Sequence, residues 1–120
     1  MNIIGGLDIG TTGCKISLYD EKSDILETYY AEYDAVHQSG EHEIDFEIIK
    51  EKVKYLLKKA IEKYEITVLG VTSFGETFVM LDGDDNILAP SILYTDPRGA
   101  EECLSLCEGL GEDKLTLLTV

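Results

Sequence analysis

The chain has no tryptophan, two prolines, and ten basic residues against 24 acidic ones, for a formal net charge of −14. A field of that sign repels phosphate, so neither a nucleic acid nor a membrane surface is expected as a partner. Long apolar runs are also missing. The longest uncharged stretches are residues 66–75 and 86–95, well short of the roughly 18 to 20 residues that cross a bilayer. The start, MNIIGGLDIG, has no early Lys or Arg and is interrupted by Asp8, so no secretory signal is expected. The three cysteines, Cys14, Cys103 and Cys107, are an odd number at no zinc-like spacing, which speaks against a disulfide framework and for a reduced, cytoplasmic setting.

What is present is the composition of one folded domain. The 44% apolar share is ordinary for a globular protein, so the charge does not signal disorder. Six of the ten basic residues (Lys50, Lys52, Lys54, Lys58, Lys59, Lys63) are crowded into one segment. Lys15 and Arg98 are therefore two of very few cations elsewhere.

The hydrophobic pattern gives the element order. Residues 3–9 form an apolar run that ends in the turn Gly10-Thr11-Thr12-Gly13, after which Cys14, Ile16 and Leu18 alternate with Lys15, Ser17 and Tyr19, the period of a half-buried strand. A polar turn at 20–24 leads to a third strand at 25–33, and short connections make the three an antiparallel meander. Residues 34–43 are polar and without period, and read as an exposed loop. A helix follows, capped by Asp45, with Ile44 and Ile49 placed as a hydrophobic staple and an apolar stripe of Ile49, Val53, Leu56, Leu57, Ala60 and Tyr64. Its lysines read as a solvated face. The run at 66–72 is nearly all apolar, as in a parallel strand buried on both faces after a right-handed crossover. Residues 77–81 and 87–89 around Gly83-Asp84-Asp85-Asn86 read as a hairpin, 91–99 as a loop, and 99–110 as a short helix in which Cys103 and Cys107 are expected to be buried. The order β-β-β-α-β-β-α implies a mixed α/β sheet covered by helices.

Three segments carry residues suited to chemistry. In Asp8-Ile9-Gly10-Thr11-Thr12-Gly13-Cys14-Lys15 the glycines permit the close approach that aims backbone N–H groups into one space, a nest for phosphate. Thr11 and Thr12 add hydroxyls, Lys15 adds charge, and Asp8 at a strand end suits Mg²⁺, which takes one or two carboxylates beside substrate phosphates. An ordinary hairpin turn has the same pattern. Neither the P-loop nor the dinucleotide-binding glycine motif is present. In Thr72-Ser73-Phe74-Gly75-Glu76-Thr77, Glu76 suits the hydroxyls of a polar ligand; in Tyr94-Thr95-Asp96-Pro97-Arg98-Gly99, Asp96 and Arg98 supply opposite charges and Tyr94 a ring and a hydroxyl. Each segment alone also reads as a turn or a surface pair. His37 and His42, among Glu41, Glu43 and Asp45, read as solvated side chains in a polar loop, and Tyr29, Tyr30 and Tyr33 as packed on the sheet.

Taken in order, LDIGTTGCKISLYD and VTSFGETFVMLDGDDNILAPSILYTDPRGAEE resemble the phosphate segment and the substrate-contacting segments of the FGGY carbohydrate kinases. The resemblance covers essentially the whole chain, 1–120, as part of that family's N-terminal domain. It implies a ribonuclease H-like, actin-like ATPase fold with the β-β-β-α-β order. It implies that Asp8, Gly10, Thr11, Thr12, Gly13 and Lys15 face the phosphates of ATP and Mg²⁺, with Asp8 meeting the metal directly or through water. Gly75, Glu76, Tyr94 and Asp96 would line a sugar or polyol site. Position 75 is often larger and polar in the family and position 94 is often Trp, so the identity of the sugar stays open. The family's catalytic-base Asp lies further along than Val120, so the chain reads as a piece of a longer kinase with no catalytic base of its own. Two other expectations stand beside it: a homo-oligomer formed through exposed sheet surface by a non-catalytic module, and an activator-type ATPase of the same superfamily.

Overall fold

The structure is a computed structural model that describes residues 2–119. Its main sheet has the order β3-β2-β1-β6, built from β1 (Ile3–Ile9), β2 (Gly13–Tyr19), β3 (Ile25–Glu32) and β6 (Ile66–Ser73). β1 and β2 pair antiparallel, as do β2 and β3, while β6 runs parallel to β1. Between them lie the short strands β4 (Val36–Gln38) and β5 (Glu41–Ile44), then helix α1 (Phe46–Lys63).

Alternation places Ile3 and Leu7 of β1 and Cys14, Ile16 and Leu18 of β2 in one core with Ile49, Leu56 and Ala60 of α1. The helix starts where expected: the Asp45 carboxylate accepts the Glu47 N–H at 2.8 Å, and Ile44 and Ile49 are both buried. It stops at Tyr64, whose extended backbone still donates its N–H to the Ala60 carbonyl.

Five expectations are corrected. Residues 34–43 are not an irregular loop: β4 and β5 form a hairpin whose two-residue turn, Ser39-Gly40, has φ of 54° and 81°. Two positive φ values give the twist that closes such hairpins. β5 in turn pairs with β7 (Ser91–Ile92), so the expected loop at 91–99 opens with a strand. β6 is not buried on both faces, because α1 packs over β2 and β3 and leaves it uncovered; Val68 and Val71 are 58% and 62% exposed. The hairpin expected at 77–89 reduces to one bridge, Leu81 to Ile87, around a turn tied by the Asp82 carboxylate. Helix α2 (Ala100–Leu110) follows Gly99, whose φ of 86° marks the break in the chain before it. Cys103 is exposed and Cys107 half-buried rather than both buried, because α2 packs mainly on α3 (Glu112–Thr119) rather than on the sheet. Val120 lies outside the described residues.

Candidate functional site

Cross-strand register sets Lys15, Asp8 and Thr72 abreast on β2, β1 and β6. The next row on the same face is Ser17, Gly6 and Gly70. Two adjacent glycines leave two of its three positions without side chains, and an open groove of about 500 Å³ runs over the row, away from the helix. Asp8 and Lys15 are both exposed, and among the described residues neither joins an ion pair. Both charges are thus available to a ligand.

The turn between β1 and β2 is held through its carbonyls. Tyr33 donates its N–H to the Thr12 carbonyl and its hydroxyl to the Gly10 carbonyl, and Phe74 donates its N–H to the Ile9 carbonyl. Burial pushes the Tyr33 phenol up to about 12, so it remains a donor. Gly10 spends its own N–H on the Gly13 carbonyl at 2.9 Å. That leaves Thr11 and Thr12, whose N–H groups have no protein acceptor among the described residues. Gly13 has a steric duty: a Cβ there would meet the Tyr30 hydroxyl and lie 2.8 Å from the Ala31 carbonyl. β3 therefore passes close beneath the turn only because position 13 has no side chain.

The other expected residues gather some way along the chain. Glu76, Tyr94 and Asp96 line one cavity of about 450 Å³ together with Glu43, Arg98 and an apolar wall that includes Phe78. Gly75 does not line it; it sits in open space just before Glu76, whose φ of 62° is rare for a residue with a side chain. Tyr94 also borders a second cavity, of about 380 Å³, with Thr11, Thr12, Asp34, His37 and Thr95. The phosphate-type turn and the Glu76 cavity thus meet at Leu93 and Tyr94. Strand pairing makes this junction: β7 lies on β5, and Leu93 donates its N–H to the His42 carbonyl at 2.9 Å.

One charge cluster dominates the electrostatics. The Arg98 guanidinium reaches Asp96 at 2.7 Å, Glu43 at 2.8 Å and Glu41 at 3.6 Å. Its hydrogen bonds hold the Asp96 carboxyl well below the usual carboxylate range, helped by the His42 N–H. The same bonds raise Arg98 further above its ordinary value. Glu43, Asp34 and His37 are site residues that motif reading missed. The local signal was Ser39-Gly40, which makes the hairpin that carries His37 and Glu43.

A phosphate-type turn at the end of β1, a mixed sheet of order 3-2-1-6 and a cavity with charged groups on an apolar wall beyond the parallel strand fit one class: an actin-like ATPase fold of the sugar-kinase kind. The family model for the FGGY family of carbohydrate kinases, N-terminal domain, matches residues 3–119, and the chain belongs to that family. It is 31% identical over 123 residues to a xylulose kinase of Staphylococcus xylosus, covering 99% of this chain and 26% of that protein. A xylulose kinase of Lactococcus lactis is 28% identical over 98% of this chain. Among solved structures, xylulose kinase from Rhodospirillum rubrum superposes with a TM-score of 0.85 at 21% identity, covering 93% of this chain and 24% of that one. Gluconate kinase from Lactobacillus acidophilus gives 0.80 at 25% identity, over 92% and 23%. The chain spans about a quarter of the length of these relatives.

Proposed function

We propose that the whole protein transfers the γ-phosphoryl group of MgATP to a hydroxyl of a sugar or polyol, in the cytoplasm where MgATP and reduced thiols are found. The observation that carries this reading is the meeting of the two halves of the site at Tyr94. Phosphoryl transfer asks a protein for positioning and for charge to stabilise the transferring group, more than for covalent chemistry. The donor set fits that demand. Thr11 and Thr12 offer free N–H groups and hydroxyls, Lys15 a cation, and Asp8 an exposed carboxylate suited to Mg²⁺ beside phosphate. Bound Mg²⁺ supplies charge neutralisation on the phosphate oxygens. On the acceptor side, Glu76 accepts hydroxyl protons in hydrogen bonds, with Tyr94 beside it on the cavity wall. The base that takes the hydroxyl proton belongs to a part of the protein beyond these 120 residues.

Kinship makes xylulose the first substrate to try, followed by gluconate and glycerol, the substrates named for similar proteins. The test is ATP-dependent phosphorylation of a sugar and polyol panel by the protein at its natural length. We expect turnover of at least one member and a loss on the order of a hundredfold or more in Asp8→Ala. No turnover of any member, with ATP consumption indifferent to Asp8→Ala, would refute the proposal.

A further inference from the structure

Arg98 is the chain's single arginine, and every charged group it meets is a carboxylate. Asp96 is the most enclosed of these: its side chain is 0% exposed, while that of Arg98 is 37% exposed. The two oxygens of a carboxylate offer about four acceptor positions. Here four donors fill them. Oδ1 accepts the Arg98 backbone N–H and Nε–H, both at 2.9 Å, and Oδ2 accepts the His42 N–H at 2.6 Å and Arg98 Nη2 at 2.7 Å. No lone pair remains for a sugar hydroxyl, although Asp96 borders the cavity. Glu76, in contrast, is exposed, lines the same cavity and has no protein partner among the described residues.

The cluster instead ties two parts of the fold together. Arg98 Nη2 joins Asp96 to Glu43 on β5, which lies 55 residues from Arg98 in sequence. His42 donates its N–H to Asp96 and accepts the Leu93 N–H on its carbonyl, and the Asp96 N–H closes back on the Leu93 carbonyl. The backbone around Tyr94 is therefore pinned on both sides. A lysine cannot substitute, because a compact ammonium lacks the fork that makes parallel bonds to Asp96 and still reaches Glu43.

We infer that Asp96 and Arg98 are positioning residues that set the Tyr94 wall between the two cavities, not residues that touch the sugar. This rests on the kinase reading above and removes Asp96 from the sugar contacts that the resemblance implies.

The test is a double-mutant cycle in steady-state kinetics on the protein at its natural length, with its best sugar, for Arg98→Lys, Asp96→Asn and the pair. Each single change is expected to raise the sugar KM on the order of tenfold by misplacing the wall, with the KM for MgATP within about twofold. Because both act through one clamp, the double variant should be no worse than the worse single. A sugar KM that rises by the product of the two single effects would give Asp96 its own contact with the sugar and overturn the inference. A second measurement stands whether or not the variants fold and whether or not the kinase reading holds. The Arg98 Nε–H resonance of the wild-type protein should exchange slowly with water and keep its position when xylulose is added. Fast exchange, or a shift showing that Asp96 has released a donor, would also overturn it. Failure of the kinase reading shows separately, as a wild-type protein that phosphorylates nothing.

Discussion

Residues up to Tyr64 and residues from Ile66 onward are held in place by different means. Among the described residues, the buried apolar side chains lie before Tyr64 except for Leu93. The first region places its turn on an apolar core, with Ile16, Leu18 and Leu56 fully enclosed. The second places its loop by pairing with β5 and by one arginine among three carboxylates. The difference suits the two tasks proposed for them. A nest for phosphate, common to every member of a kinase family, needs fixed N–H directions, which dense packing supplies. A pocket that must differ from one sugar to the next is better built on loops, where side chains change without disturbing a core.

Paired substitutions are the sharpest way to break this contrast. In this chain Leu56→Ala should cost about 2–5 kcal/mol in urea unfolding, because it opens a cavity in a closed core. Val71→Ala on exposed β6 should cost within about 0.5 kcal/mol. Equal costs would mean that β6 is packed as tightly as α1. Next in size is a glycine pair. Gly13→Ala forces a Cβ against the backbone carbonyl of Ala31, 2.8 Å away, and should cost about 1–3 kcal/mol as an overpacked site. Gly75→Ala enters open space and should leave thermal unfolding nearly unchanged.

The same contrast decides what was legible in the sequence. β1, β2, the turn and α1 were readable because period two, period 3.6 and Asp45 are local signals of packing against a core. The β4–β5 hairpin was not, since its polar residues show no alternation and only Ser39-Gly40 marks the turn. β6 misled in the opposite sense: residues 66–72 have the composition of a covered strand, but coverage depends on where α1 lies, and it lies over β2 and β3. Likewise Asp8, Thr11 and Lys15 stood in one motif. The partnership of Arg98 with Glu43 spans 55 positions, and no local pattern announces it. The resemblance implies Asp96 as a residue lining the sugar site, and the sequence sets it beside one opposite charge, Arg98; its four donors appear only in three dimensions.

The most direct test of the division between donor and acceptor halves is two-substrate kinetics on the protein at its natural length, comparing Lys15→Ala with Glu76→Gln. The account predicts a crossed pattern. Lys15→Ala should raise the KM for MgATP on the order of tenfold and leave the sugar KM within about twofold, and Glu76→Gln should do the reverse. Variants that each raise both constants equally, or that exchange roles, would contradict it.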